Sequence, residues 1–93
     1  MIRNFAEKDT ERLFHGQRVR RLPPDILARG VAMLRRIDAA SLLTDLAIPP
    51  GNRLEALKRD RQGQHSIRIN QQWRVCFVWR DGDAFDVEIV DYH

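Results

Sequence analysis

Several features that would assign a function directly are missing from this sequence. Only one cysteine is present, Cys76, which excludes an internal disulfide and a cysteine-rich zinc site and makes a cytosolic location the default expectation. No apolar run approaches the roughly 18 residues of a membrane span, and the first residues lack the apolar stretch of a secretory signal. There is also no glycine-rich phosphate loop, nucleophile elbow or paired-carboxylate pattern. None of the common enzyme signatures therefore assigns a reaction to this chain.

Charge is unevenly distributed along the 93 residues. The segment from Arg53 to Arg80 carries seven Lys or Arg residues and two acidic residues, whereas residues 81–93 carry five acidic residues and no Lys or Arg. A basic segment attracts polyanions, including nucleic acid, although it is also typical of a solvated surface. The composition, 43% hydrophobic and 31% charged, favours one globular domain over residues 1–93.

The first half of the chain has helical patterns. A short strand is predicted at Ile2–Phe5, and a short helix at Glu7–His15. The stretch PPDILARGVAMLRRID predicts a longer helix that starts at Pro23–Pro24, because its apolar residues recur at helical spacing. Gly30 inside this helix indicates close packing. ASLLTDLAI predicts a further short helix, with Ser41 as a possible cap.

The second half changes to a period of two residues, which predicts strands. RLEAL is a short strand candidate, and HSIRIN and WRVCFVWR alternate apolar and polar positions. The Asp-Gly pair in DGD predicts a hairpin turn. AFDVEIVDYH follows, with Phe85, Val87 and Ile89 expected on one face. We therefore predict an α+β fold, in which a leading strand and helices pack on one face of a small antiparallel meander.

Two arginines are predicted on the open face of this sheet. If Trp73 and Val75 face the helices, then Arg74 and Cys76 face the other way, and Arg68 on the preceding strand follows by the same alternation. Like charges on neighbouring strands repel each other unless an anion binds them. The open face is therefore a candidate anion site, and a staggered, solvated pair is the alternative.

The remaining side chains with useful chemistry are of types that can cleave RNA without a metal. In such a reaction the 2′-hydroxyl attacks its own 3′-phosphate, one group removes a proton, another protonates the leaving oxygen, and cations stabilise the transition state. A histidine can exchange a proton near neutral pH, and an arginine can hold two phosphate oxygens. Three histidines without tight spacing do not predict a metal site, and Cys76, His15 and His65 are each more typical of structural positions.

One combination of residues resembles a known family. The segment L-K-x-D-R-x-G-x-x-S-I-R-I-N-x-x-W-R-V-C-F and the final D-Y-H resemble the carboxy-terminal half of HigB-type toxins of the RelE superfamily, and MIRNFAEKDTERLF is similar to their opening. The resemblance implies a RelE-like fold and a ribosome-dependent endonuclease that cuts mRNA in the A site and needs no metal or organic cofactor. It further implies a HigA-like helix-turn-helix antitoxin, and operator DNA bound only through the antitoxin complex.

The same resemblance assigns site residues. Carried over position by position, it implies that Arg74 binds the scissile phosphate and that Lys58 adds positive charge or helps to deprotonate the 2′-hydroxyl. It implies that His93 transfers a proton, as the acid for the leaving oxygen, and that Tyr92 orients the substrate or assists proton transfer. Two further arginines are expected to bind RNA, Arg61 and Arg68.

Two other readings of the sequence stay open at this point. ParE-type relatives have a similar architecture but inhibit DNA gyrase without being enzymes. This alternative stays open because a fold alone does not determine function. A simple RNA-binding module would use the same basic face and leave the RNA intact. The set Lys58, Arg74, Tyr92 and His93 favours the nuclease.

Overall fold

Two helices pack on one face of a four-stranded antiparallel sheet in the computed structural model, which describes residues 1–92. The helices are α1 (Lys8–Phe14) and α2 (Pro24–Ala39), and the strands are β1 (Glu55–Ala56), β2 (Gln64–Arg68), β3 (Trp73–Arg80) and β4 (Asp83–Asp91). The strands lie in the order β1-β2-β3-β4, each antiparallel to its neighbour, which is a meander. The predicted α+β fold class is confirmed.

Both helices begin and end for local reasons. The Glu7 carboxylate caps α1 by accepting hydrogen bonds from the backbone N–H groups of Asp9 and Thr10. Gly16, with φ of 82°, follows the end of α1. Pro24 opens α2, where its missing N–H is tolerated. Within residues 1–92, no helix combines the length and the apolar character needed to cross a membrane.

The predicted third helix forms as a short 3-10 helix, Leu43–Ala47, and the prediction of Ser41 as its cap is wrong. The Asp45 carboxylate accepts hydrogen bonds from the backbone N–H groups of Ser41 and Leu42, so the cap comes from inside the element. A second 3-10 helix, Pro50–Asn52, follows at once, since the two prolines prevent a longer α-helix.

Strand β3 is central and confirms the predicted alternation. Trp73, Val75 and Phe77 are buried against the helices, and Trp79 packs at the margin of the same core. Asp81 and Gly82 connect β3 to β4, and both have positive φ, 53° and 81°. Two successive positive φ values match the twist of the flanking strands, which explains the Asp-Gly signature.

The predicted alternation of β4 is wrong at Phe85. A bulge interrupts the pairing with β3 between Cys76 and Val78, and Asp86 adopts φ of 53° there. The bulge moves Ala84 into the core beside Val87 and Ile89, which are buried as expected. Phe85 therefore pairs with Val78 and lies beside Arg80, whose Cζ is 4.5 Å from the ring centroid.

The predicted strand at Ile2–Phe5 forms only in part. Ile2 makes an isolated parallel bridge to Ala84, and Phe5 makes another to Val87, so the segment follows β4 without a continuous ladder. The Phe5 ring contacts Phe14 of α1, with centroids 5.5 Å apart. The first residues thus join the edge of the sheet to the helical layer.

Helix α2 packs closely against its neighbours at Gly30, as the sequence indicates. A Cβ at this position would lie 3.3 Å from Leu13 Cδ2 and 3.6 Å from Ile89 Cδ1. The missing side chain therefore lets α2 approach both α1 and the sheet. All helices contribute to this one apolar layer, which leaves the opposite face of the sheet for polar residues.

Candidate active site

The face of the sheet turned away from the helices, here called the open face, carries the predicted arginines. Arg68 on β2 lies directly opposite Arg74 on β3, and directly paired residues of antiparallel strands share a face. One step along, Ser66 pairs with Cys76, which pairs on its other side with Glu88 of β4. The predicted placement of Arg68 and Arg74 on one face is therefore confirmed.

Arg74 is held tightly in this face and is only 7% exposed. Its Nε donates a hydrogen bond to Ser66 Oγ at 2.7 Å, and its Nη2 donates one to the backbone carbonyl of Arg53 at 2.5 Å. Its Nη1 lies 3.8 Å from a carboxylate oxygen of Glu55, an ion pair at the solvent boundary. The guanidinium is thus fixed along one edge, and further N–H groups remain at its other end.

Tyr92 joins Arg74 at the end of β4. Its backbone N–H donates a hydrogen bond to the Gln72 carbonyl at 2.6 Å, which continues the alignment of β4 beyond Asp91. The Arg74 Cζ lies 5.7 Å from the centroid of the Tyr92 ring, a distance at which cation and ring attract each other. The ring is 43% exposed, so its outer side is available to a ligand.

Arg61 reaches the open face from the 3-10 turn Arg59–Arg61. Its Nη1 donates hydrogen bonds to Glu88 Oε1 at 2.8 Å and to Gln64 Oε1 at 3.1 Å. The hydrogen bond to Glu88 raises the pKa of Arg61, which keeps the guanidinium charged. Because Glu88 already balances part of this charge, Arg61 is a weaker anion site than the sequence alone implies.

Lys58 and Arg68 are less closely tied to Arg74. The Lys58 side chain is exposed and makes no hydrogen bond or ion pair with any side chain or backbone group in residues 1–92. The Arg68 Nε donates a hydrogen bond to the Asn70 carbonyl at 3.1 Å, which turns its guanidinium toward the β2–β3 turn. The roles given to both residues stay predictions, and His93 lies outside the described residues.

Two of the three side chains expected at structural positions, Cys76 and His65, pack within the sheet, whereas His15 is exposed at the end of α1. Cys76 is fully buried beneath the open face, and burial raises the pKa of its thiol, so it is a poor nucleophile. His65 pairs with the core residue Phe77 and stacks on its ring at 6.4 Å, which places it on the helical side of the sheet. In the described part of the chain, no group of three His, Cys, Asp or Glu residues could hold a metal ion.

Sequence reasoning missed three groups that shape this site. Ser66 could have been found by strand alternation, because it is two residues from Arg68 and shares its face. Glu88 could also have been found by alternation, because it lies between Val87 and Ile89, which face the helices. The Arg53 carbonyl has no sequence signal, since it is a backbone group positioned by a loop.

The chain is similar to proteins of one family. The family model of HigB-like toxins, described as RelE-like toxins of type II toxin–antitoxin systems, matches residues 3–93. Toxin HigB-1 of Vibrio cholerae serotype O1 is 38% identical over 87 residues, which is 92% of each chain. Endoribonuclease HigB of Proteus vulgaris is 33% identical over 97 residues and covers 100% of both.

A solved structure agrees with the fold. A chain of the YoeB–YefM complex from Staphylococcus aureus superposes with a TM-score of 0.62, covering 100% of this chain and 95% of that one, at 19% identity. The sequence matches extend over nearly the whole chain and agree with the resemblance carried by the L-K-x-D-R segment and the D-Y-H ending. The chain therefore belongs to the HigB-like toxins, a family of RelE-like toxins of type II toxin–antitoxin systems.

Proposed function

We propose that this toxin is an endoribonuclease that cuts mRNA in the ribosomal A site, by attack of the 2′-hydroxyl on the adjacent phosphate and without a metal ion. The observation that carries the proposal is the fixed Arg74 guanidinium on the open face, with the Tyr92 ring beside it. Membership of the HigB-like toxins and the name of the Proteus vulgaris relative, Endoribonuclease HigB, support the endoribonuclease part of this proposal.

The proposed chemistry assigns a separate task to each group. Arg74 binds the scissile phosphate with its free N–H groups and stabilises the charge that develops on it. Lys58 adds positive charge or assists removal of the 2′-hydroxyl proton, and its exposed ammonium, which has no partner within residues 1–92, is able to move toward a bound phosphate. His93 protonates the leaving 5′-oxygen, because an imidazole can give up a proton near neutral pH. Tyr92 stacks on a base or assists the proton transfer.

Binding is proposed to depend on the ribosome. Arg61 and Arg68 would contact phosphates of mRNA or ribosomal RNA beside Arg74, as expected for guanidinium groups on an open sheet face. The ribosome would hold the mRNA so that the 2′-hydroxyl is in line with the leaving oxygen, and such positioning is worth roughly 7–11 kcal/mol in favourable cases. Few catalytic groups on the toxin would then suffice. Action on ribosomes implies a cytosolic location.

A HigA-like antitoxin with a helix-turn-helix fold is the proposed partner. Membership of a type II toxin–antitoxin family supports an antitoxin, and the structural neighbour was solved in a complex named YoeB–YefM. The toxin would then meet operator DNA only through the antitoxin, which carries the DNA-binding fold. Co-expression of toxin and antitoxin, followed by size-exclusion chromatography and operator-binding assays with each component alone, tests this assignment.

A translation reaction with purified ribosomes and a defined mRNA, mapped by primer extension, tests the function. We expect a cut within the A-site codon that depends on the ribosome. Toxin pre-treated with EDTA and returned to magnesium-containing ribosome buffer should cut at the same rate. Growth arrest without any A-site cut would contradict the nuclease, and a gyrase supercoiling assay would then test the ParE-like alternative.

His93→Ala should slow cleavage by about 10²-fold or more, the usual contribution of a general acid. His15→Ala is the matched control, because His15 lies exposed at the end of α1. Single-turnover rates on programmed ribosomes measure both. If His93→Ala cuts as fast as the wild type, the carboxy-terminal imidazole has no part in proton transfer.

A further inference from the structure

We propose that Ser66 is a positioning residue that holds the Arg74 guanidinium in the orientation needed to bind the scissile phosphate. This inference rests on the proposed function, since it concerns the same site. Ser66 is fully buried, and its Oγ accepts the hydrogen bond of Arg74 Nε at 2.7 Å. A serine side chain is too deep and too short here to reach RNA, so its effect on cleavage has to pass through Arg74.

The contacts of Arg74 divide its guanidinium into a held edge and a free end. Ser66 Oγ and the Arg53 carbonyl accept hydrogen bonds from the edge formed by Nε and Nη2. The end formed by Nη1 and Nη2 keeps N–H groups for an anion, and the carboxylate that pairs with it within residues 1–92 is that of the half-exposed Glu55, at 3.8 Å. A phosphate can displace such a loose, solvent-screened ion pair more easily than two buried hydrogen bonds.

The second acceptor on this edge comes from an unusual backbone conformation. Arg53 ends the 3-10 helix Pro50–Asn52 with φ of 49° and ψ of 58°, the left-handed region that non-glycine residues rarely adopt. This conformation directs its carbonyl to Arg74 Nη2. Two acceptors from different parts of the chain therefore fix both the position and the plane of the guanidinium, and Ser66 is the one that a substitution can remove.

Loss of the Ser66 hydroxyl would leave the buried Nε–H of Arg74 without an acceptor. Burial of an unpaired polar group is unfavourable, so the guanidinium would shift toward solvent or toward Glu55. A shift of about 1 Å can cost on the order of 10²-fold in rate, because the phosphate and the attacking hydroxyl are no longer aligned. The expected defect is mainly in kcat rather than in KM, since the charge of Arg74 remains.

A double-mutant cycle tests this inference through cleavage. Single-turnover rates on programmed ribosomes are measured for the wild type, Ser66→Ala, Arg74→Ala and the double variant. Ser66→Ala should slow cleavage by roughly tenfold to a hundredfold in the wild-type background and by less than about twofold in the Arg74→Ala background. If the two effects multiply instead, Ser66 acts independently of Arg74 and the inference is wrong.

Thr10→Ala is the control for a purely structural effect. Thr10 is also fully buried, and its Oγ1 accepts a hydrogen bond from the Ile89 N–H, but it lies in α1 on the other side of the sheet. Thr10→Ala should lower Tm as Ser66→Ala does, yet retain the wild-type cleavage rate at a temperature where both proteins are folded. A similar rate defect in both variants would mean that Ser66 only stabilises the fold.

A measurement without RNA separates this inference from the proposed function. In ¹⁵N NMR of the free toxin, the Arg74 Nε–H should exchange with water roughly tenfold faster in Ser66→Ala than in the wild type. Unchanged exchange would overturn the inference even if the wild type cuts mRNA. Faster exchange in a toxin whose wild type cuts no mRNA would support the hold on Arg74 while the nuclease function fails.

Discussion

Arg74 is unusual among the sixteen Lys and Arg residues of the chain because its charged group is almost completely buried. Arginine is rarely buried unless it has hydrogen-bond partners, and here a hydroxyl and a carbonyl satisfy two of its five N–H donors. Arg80 lies on the same strand and is exposed, with its guanidinium over Phe85. Burial and fixed geometry, rather than charge, therefore distinguish Arg74 from its neighbours.

Replacement of these two arginines should have different effects on cleavage. Arg74→Ala should lower the cleavage rate by about 10²-fold or more, because it removes a preorganised donor to the phosphate. Arg80→Ala should stay within about threefold of the wild type, since its loss affects only a surface contact. Primer extension under single-turnover conditions measures both rates. Equal losses would mean that the two arginines are used alike.

Glu7 links stability to pH. Burial would raise the pKa of its carboxyl, but hydrogen bonds from Thr10 and Asp9, together with the Arg21 guanidinium, hold the pKa below its ordinary value of 4.5. A carboxyl with a lowered pKa in the folded state stabilises the protein above its unfolded pKa. This stabilisation is lost as pH falls through the lower, folded pKa.

Thermal unfolding at several pH values should show this effect. Below pH 4.5 the Tm of the wild type should fall more steeply than that of Glu7→Gln, while at pH 7 the wild type should be the more stable protein. Asp83 also has a lowered pKa, chiefly through its hydrogen bond with Arg3, but it is present in both proteins and cancels. Parallel Tm curves for the two proteins would contradict the capping role of Glu7.

The packing of α2 depends on Gly30. Gly30→Val should destabilise the protein by roughly 1–3 kcal/mol, because its side chain would meet Leu13 and Ile89 in a close-packed layer. Ala32→Val is the matched control on the exposed side of α2, where only helix propensity changes, by about 0.5 kcal/mol. Urea denaturation compares the two variants. Equal destabilisation would show that the close approach at Gly30 is not needed.

Strand β4 shows why some elements were predicted well and one residue was not. The alternation of Val87 and Ile89 was correct because both lie on the uninterrupted side of the bulge. Phe85 was misplaced because the bulge at Asp86 inserts one residue, which transfers every earlier side chain to the other face. The sequence around Asp86 contains no glycine or proline to mark the break, so periodicity alone could not find it.

Over the molecule as a whole, the sheet separates two kinds of surface. One face binds the helices through the apolar cluster, and the other carries Arg61, Arg68, Arg74 and Tyr92. The formal net charge is +3, with an estimated pI near 9.7. A toxin that contacts RNA phosphates through this basic face should bind less tightly at higher salt concentration, because the release of counterions from the RNA is then less favourable.

Salt dependence can count such contacts. The binding assay uses ribosomes programmed with an mRNA that is 2′-O-methylated in the A site, so that cleavage does not interfere. Binding should weaken as the salt concentration rises. Lys58→Gln should reduce the slope of log K against log salt by about 0.7, the value for one contact to a single strand. Arg35→Gln, an exposed position on α2, should leave the slope unchanged. An unchanged slope in Lys58→Gln would remove Lys58 from the RNA-binding face.

The local patterns of the chain were enough for the α+β class, the order of α1, α2 and the four strands, the alternation of β3 and the shared face of Arg68 and Arg74. These follow from the spacing of apolar residues, which depends only on near neighbours. The tertiary structure decided which cations are fixed and which are free: Ser66 and the Arg53 carbonyl hold Arg74, and Glu88 balances Arg61. Those contacts join residues 8, 21 and 27 positions apart, so no local pattern encodes them and only the folded sheet brings them together.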